Sequence, residues 1–195
     1  MLKLCQVAKM AHFYLDQVIG EGDCVVDATA GNGYDTLYLA EKVGRSGQVY
    51  SFDIQEKALA ATAARLKEND MTDQVTLIKD GHEFMNSYLQ EPAAAIIYNL
   101  GYLPGGDHSI ATRLNTTLAS FKQALGLIKP GGLLTVTMYP GHDQGVIERD
   151  GLLAACEGLP SAEYSAACFK LINRSNRPPE LLIVQKEGNK KGIRL

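Results

Sequence analysis

No Cys-x-x-Cys pair occurs in the sequence, and none of its four cysteines, Cys5, Cys24, Cys156 and Cys168, has a histidine at metal-ligand spacing. That pattern argues against a zinc site or a disulfide framework and leaves reduced thiols as the expectation. Neither sign of charge dominates: 19 basic side chains against 22 acidic ones give a net charge of -3. The chain therefore has no global field drawing it toward nucleic acid or an anionic membrane, and an RNA-binding surface would have to be a local patch. A long apolar run is also missing. Residues 1–20 carry polar or charged side chains at every third or fourth position, which excludes a signal peptide or a membrane span there. No repeat, low-complexity stretch or linker divides the chain, so one domain over 1–195 is expected, and 46% hydrophobic residues suffice for a single core. The expectation is a soluble, cytoplasmic protein with no metal and no membrane partner. Its oligomeric state is open, a homodimer included.

What is present is an alternation of periods. Leu4, Val7, Ala8, Ala11, Leu15 and Val18 recur at three- and four-residue steps and predict an amphipathic opening helix that ends near Gly20. Short apolar runs follow at 24–28, 48–52, 74–78, 94–98 and 133–137, each of buried-strand length. Helical patterns at 34–43, 56–69 and 110–127 lie between them. The alternation predicts an α/β fold with a mostly parallel sheet and helices on both faces. Near the end, a helix is followed by two strand-like runs, 167–172 and 181–185, which predict an antiparallel hairpin across the loop Asn173–Glu180. A parallel sheet closed by such a hairpin is similar to the seven-stranded class I methyltransferase architecture.

The first strand ends at Asp27 and runs through Gly31-Asn32-Gly33 into a helix beginning near Tyr34. Glycines there let the backbone turn sharply and approach a ligand, while the helix start presents unpaired N–H groups. Asp53 closes the second strand, where a carboxylate can accept hydrogen bonds from both ribose hydroxyls of an adenine nucleoside. A dinucleotide fingerprint would place a third small residue where Thr36 stands and would not tolerate Asp35 beside a pyrophosphate. Asp35 would instead attract the ammonium of a methionine moiety, and Asp27 adds to the same negative environment. These residues point to S-adenosylmethionine. Gln55 is a candidate for the ribose or the adenine edge. His82, after the third strand in Asp80-Gly81-His82, is either an adenine neighbour or an exposed loop histidine.

The fourth strand ends in Asn99-Leu100-Gly101-Tyr102 at the expected topological switch point, where open α/β sheets bind ligands. The spacing is like the Asn-Pro-Pro-Tyr signature of amino-group methyltransferases, with Leu-Gly in place of Pro-Pro. In that arrangement the Asn oxygen accepts a hydrogen bond from the acceptor amine and the Tyr ring stacks on the base. A more flexible loop disfavours an exocyclic base amine and leaves an amine on a flexible substituent open. Asp107, His108 and His142 lie close enough in sequence to take a proton, and none is favoured by spacing. The loop 173–179 carries Arg174, Asn176 and Arg177, a composition able to bind phosphates or base edges. Lys186, Lys190, Lys191 and Arg194 could extend that local positive surface.

Four ordered motifs, Asp27-Ala-Thr-Ala-Gly-Asn-Gly-Tyr-Asp-Thr36, Asn99-Leu-Gly-Tyr-Leu-Pro-Gly-Gly-Asp107, Tyr139-Pro-Gly-His142 and Asn173-Arg-Ser-Asn-Arg-Pro-Pro179, span nearly the whole chain. In them the chain resembles the tRNA 5-aminomethyl-2-thiouridine methyltransferase family, a class I group long labelled rRNA methylases. The resemblance implies S-adenosylmethionine as cofactor, the tRNA anticodon loop as partner, and methylation of the aminomethyl nitrogen of the wobble uridine. It implies Asn99 and Tyr102 as catalytic residues. The candidate substrate contacts are Tyr102 from its spacing, Asp107 and His142 from their place in the sequence, and Arg174, Asn176 and Arg177 from the composition of their loop. Two other readings stand beside it: a methyltransferase acting on rRNA or a small-molecule amine, and a nucleoside-binding Rossmann module without catalysis.

Overall fold

Short apolar runs become central strands here because both of their faces are covered. In a computed structural model, which describes residues 3–103, 105 and 110–188, helix α1 (Val7–Leu15) precedes strand β1 (Cys24–Asp27). Helix α2 (Tyr34–Val43), strand β2 (Gln48–Phe52), helix α3 (Glu56–Glu68) and strand β3 (Val75–Ile78) follow. A 3-10 turn over His82–Ser87 leads to strand β4 (Ala93–Asn99), helix α4 (Leu114–Leu127) and strand β5 (Ile128–Met138). Helix α5 (Asp143–Glu157) and strands β6 (Tyr164–Phe169) and β7 (Glu180–Lys186) complete the order.

The seven strands form one sheet in the order β3-β2-β1-β4-β5-β7-β6. The first five run parallel, and β7 enters antiparallel between β5 and β6. Val25, Val26, Ile96 and Ile97 lie wholly inside, since odd and even side chains meet different helical layers. One core gathers Leu15, Leu39, Leu66, Ile97 and Leu181 under α1, α2 and α3. The other gathers Phe52, Met85, Tyr98, Phe121 and Leu152 under the 3-10 turn, α4 and α5. Each such side chain contributes about 1.5–3 kcal/mol by leaving water. Among the described residues no helix is long and apolar enough to cross a membrane.

The chain winds outward from β1 to β3, then crosses back to β4 on the other side of β1. The loops after β1 and β4 therefore part at the carboxyl ends of these strands and open the crevice that binds ligands in such sheets. Because β7 is antiparallel, the β6–β7 loop projects from this same edge.

Several boundaries differ from the sequence expectation: α1 ends at Leu15 rather than near Gly20, and β5 starts at Ile128 rather than 133. The predicted run 167–172 is displaced, with β6 starting at Tyr164 and ending at Phe169. Tyr164 pairs with Lys186 and donates its hydroxyl to the Leu125 carbonyl, so it pins the register, and Ile172 stands in the loop 93% exposed. Helix α4 begins at Leu114 rather than 110, because the chain before it is extended: Ala111 bridges Tyr102, and Thr112 N–H donates to the Gly101 carbonyl.

Candidate active site

The turn after β1 is shaped by its glycines. Gly33 caps α2 with φ at 77°, a left-handed conformation, and a Cβ there would stand 2.7 Å from the Thr62 Cα on α3. Only glycine meets both conditions without displacing backbone. Gly31, with φ at 53°, donates its N–H to Asp53 Oδ2 at 3.0 Å. Asp53 Oδ1 accepts the Gln55 N–H at 2.9 Å, so this carboxylate ties the β1–α2 loop to the start of α3. A carboxylate offers about four lone-pair directions, and two N–H groups leave room for two further donors. Asn32 is held through its carbonyl by Arg65 Nε at 2.8 Å, and the Arg65 guanidinium lies 3.6 Å over the Tyr34 ring. Ile54, 58% exposed, adds an apolar face beside Asp53.

Three carboxylates converge beneath this turn. Asp27 is fully buried and accepts the Thr36 hydroxyl at 2.6 Å and the Thr29 N–H at 3.1 Å. The Thr36 proton is committed to Asp27, so the Ser51 hydroxyl, 2.8 Å away, donates to Thr36. Burial pushes the Asp27 carboxyl up to about 7, with the charges of Asp35 and Asp53 adding to the rise and the Thr36 and Thr29 hydrogen bonds opposing it. The same charges make the crevice negative, which suits a cationic ligand and disfavours a pyrophosphate.

Asp35, in the first turn of α2, is engaged at both oxygens. His12 Nε2 lies 2.6 Å from Oδ1, and Asn99 Nδ2 donates to Oδ2 at 2.5 Å. An ionised carboxylate only accepts, so Asn99 turns its NH2 toward Asp35 and its amide oxygen away. The Asn99 main chain is fixed as well, through N–H donation to Thr29 Oγ1 at 2.8 Å. Tyr139, after β5, also feels Asp35: burial first and then that charge raise its phenol above the ordinary value, so it stays protonated. Asp35, expected to face an ammonium, is held instead by two contacts the sequence did not suggest, His12 and the asparagine at the end of β4.

The acceptor loop is braced from behind. Gly101 N–H donates to Thr112 Oγ1, whose hydroxyl donates to Glu148 Oε2, and Thr117 donates to Glu148 Oε1. Tyr102 is 41% exposed, with its ring centroid 6.2 Å from that of His142.

Several expected site residues take other positions. His82 is neither an open adenine neighbour nor an exposed loop residue. It is buried at 8% exposure, its Nδ1 lies 3.2 Å from the Ala28 carbonyl, and its Nε2 is enclosed without a partner. Burial lowers its pKa, so it is a neutral wedge under the loop. His142 caps α5, with Nδ1 accepting the Gly145 N–H at 3.1 Å. Its lone pair is therefore spent on the helix, and a proton could be taken there only by releasing the cap. Arg174, Asn176 and Arg177 are exposed on the β6–β7 loop at the ligand edge. Asp107 and His108 lie outside the described residues, as do Lys190, Lys191 and Arg194. Sequence reasoning missed His12, Thr29 and Ile54. The one local sign of His12 was a polar ring flanking the buried stripe of α1, next to Ala11.

Residues 49–185 match the model of the family described as "Putative rRNA methylase". A tRNA (mnm(5)s(2)U34)-methyltransferase, chloroplastic, from Arabidopsis thaliana is 36% identical over 193 residues, covering 94% of this chain and 70% of that protein. Among solved structures, a putative rRNA-methylase from Clostridium thermocellum superposes with a TM-score of 0.92 at 42% identity, covering 95% of this chain and 99% of the other. A putative methyltransferase from Streptococcus mutans, solved in complex with SAH, has a TM-score of 0.86 at 34% identity, with 95% and 99% covered.

Proposed function

The chain belongs to the rRNA-methylase family so described, and on that premise we propose that it transfers a methyl group from S-adenosylmethionine to the aminomethyl nitrogen of 5-aminomethyl-2-thiouridine at the tRNA wobble position. The product is the 5-methylaminomethyl derivative. The observation that carries this reading is the Arabidopsis relative, whose named activity concerns this modified uridine and whose similarity runs along 94% of the chain. It is a class I methyltransferase by fold, with S-adenosylmethionine as its cofactor. A non-catalytic nucleoside module would have no need of an asparagine amide held in one orientation at the switch point.

The residues present fit this cofactor. Asp53 has lone pairs left for two ribose hydroxyls, with Gln55 beside it. The turn Gly31-Asn32-Gly33 allows close approach of the backbone, and Asp27 and Asp35 form a negative floor suited to a cation, with Thr36 donating its hydroxyl to Asp27. When bound, the cofactor supplies a methyl group already made electrophilic by a positively charged sulfur. Orientation then supplies most of what the chain must add. The Asn99 oxygen accepts an N–H of the neutral amine and aims its lone pair, while Tyr102 offers a ring against the base. In the transfer the nitrogen would gain the methyl carbon as that carbon's bond to sulfur breaks, the electron pair staying on sulfur, and the positive charge then on nitrogen would leave as a proton to water.

The anticodon loop suits the surface around this crevice. Its bases are single-stranded and can be splayed onto apolar faces without opening a duplex. Tyr34, Ile54, Phe84, Tyr102, Tyr139 and Ile172 are all exposed in segments at the carboxyl edge of the sheet. Arg174 and Arg177 supply phosphate contacts there, with Asn176 available to a base edge.

The test is incubation of the protein with labelled cofactor and three RNAs: tRNA bearing the aminomethyl group, tRNA with an unmodified wobble uridine, and rRNA. Label is expected in the first alone. Label in rRNA, or in tRNA lacking the aminomethyl group, would overturn the assignment of acceptor.

A further inference from the structure

We infer that His12 is a positioning residue for methyl transfer: its ring N–H fixes the Asp35 carboxylate, which holds the Asn99 amide so that its oxygen faces the acceptor. The inference rests on the amine-acceptor reading above and adds a third member, supplied by the opening helix.

Each link is set by donor and acceptor identity. Asp35 can only accept, so the 2.6 Å contact places a proton on His12 Nε2 and the 2.5 Å contact places the Asn99 nitrogen toward Oδ2. Hydrogen bonds with one ionised partner are short and strong, and both contacts are of that kind. Among the described residues, His12 and Asn99 are the side chains that hold the half-buried Asp35 carboxylate, one at each oxygen. Without the His12 donor, one oxygen loses its partner and the carboxylate can turn. Asn99 is then free to flip, which would aim N–H groups at an amine that needs an acceptor.

His12 is itself immobilised. Its ring stacks on Tyr38 with centroids 3.7 Å apart and planes 4° apart. The single Tyr38 hydroxyl proton is shared between the His12 carbonyl at 3.0 Å and Asp16 Oδ1 at 2.9 Å, and Lys42 pairs with Asp16 at 2.6 Å. Val7, Met10, Ala11 and Leu15 already anchor α1 in the core, so that packing does not require a histidine. The imidazole therefore has two separable features, a stacked ring and an N–H directed at Asp35.

Two substitutions separate them. His12→Phe keeps the ring against Tyr38 and loses the donor, whereas His12→Gln keeps a donor near the Nε2 position and loses the ring. Melting curves establish that both variants fold. With tRNA bearing the aminomethyl group, single-turnover methylation by His12→Phe is expected to fall roughly tenfold, with cofactor affinity within about threefold of wild type. His12→Gln should recover the rate to within about threefold. The reverse ranking, or a His12→Phe rate equal to wild type, would overturn the inference. A second readout needs no turnover: the Asn99 side-chain amide signals in a nitrogen-correlated NMR spectrum. They should show a strongly hydrogen-bonded proton in the wild type and in His12→Gln, and lose it in His12→Phe. Unchanged Asn99 signals in His12→Phe would refute the role of His12 even if the acceptor were another amine. Failure of the wild type on this tRNA would strike the acceptor assignment alone, with the spectra still deciding about His12.

Discussion

Asp27 makes stability and cofactor binding depend on pH in a direction opposite to that of most carboxylates. Burial, helped by the charges of Asp35 and Asp53, pushes it to about 7 in the folded chain, against about 3.9 in an unfolded one. The folded protein thus keeps a proton that the unfolded chain has released between these values. Stability from this group is complete below about pH 4 and is lost as pH rises through about 7. That interval corresponds to roughly 4 kcal/mol as a limit, and 2–4 kcal/mol is the order expected after relaxation. Asp27→Asn removes the titration while its amide can still accept from Thr29 and donate to the Thr36 oxygen, with Thr36 turning to Ser51. Urea unfolding of both proteins from pH 4.5 to 8 measures the difference. The variant should gain on wild type by about 2–3 kcal/mol across the range, since about 1 kcal/mol of the limit is already lost by pH 4.5, and parallel curves would refute the buried, raised carboxyl. A cation in the crevice favours ionised Asp27, so cofactor affinity in the wild type should rise with pH up to about 7 and level off. S-adenosylhomocysteine, with one positive charge fewer, should show a smaller rise, and Asp27→Asn little rise with either.

Three other expectations follow from the site. Asp53→Ala removes the acceptor for the Gly31 and Gln55 N–H groups and should weaken cofactor binding roughly 10- to 150-fold by calorimetry; an unchanged affinity in a folded variant would take Asp53 out of the site. Asn99→Ala should slow single-turnover methylation by about 100-fold while cofactor affinity moves far less, and a rate within about twofold of wild type would reduce Asn99 to a loop cap. Arg174→Ala and Arg177→Ala should each lower the slope of log tRNA affinity against log salt by about 0.7. A slope that stays the same in the double variant would place the RNA elsewhere.

Local chemistry made much of this protein legible from the order of its residues. Alternating periods marked β1 to β5 and the helices between them, because burial on one face or both imposes its spacing on the sequence itself. The glycine turn and Asp53 were legible for the same reason: a left-handed φ at Gly33 and a carboxylate at a strand end are properties of a few adjacent residues. The start of β6 was not, since Tyr164 is pinned by a carbonyl 39 residues away and the apolar Leu171-Ile172 misled the local pattern. His82 carries no mark of its burial, which comes from Tyr98 on β4 and from Ala28 in the loop just after β1.

The sequence alone determined that Asn99 stands at the open end of the fourth strand and that Asp35 opens a helix. Only the tertiary structure decided that they touch across 64 residues, and that a histidine 23 residues before Asp35 shares the contact. Periodicity reports which way a side chain points from its own element. Which other side chain it meets, and with which atom, depends on how the elements are packed, and that packing fixes the orientation of the Asn99 amide and the proton on Asp27.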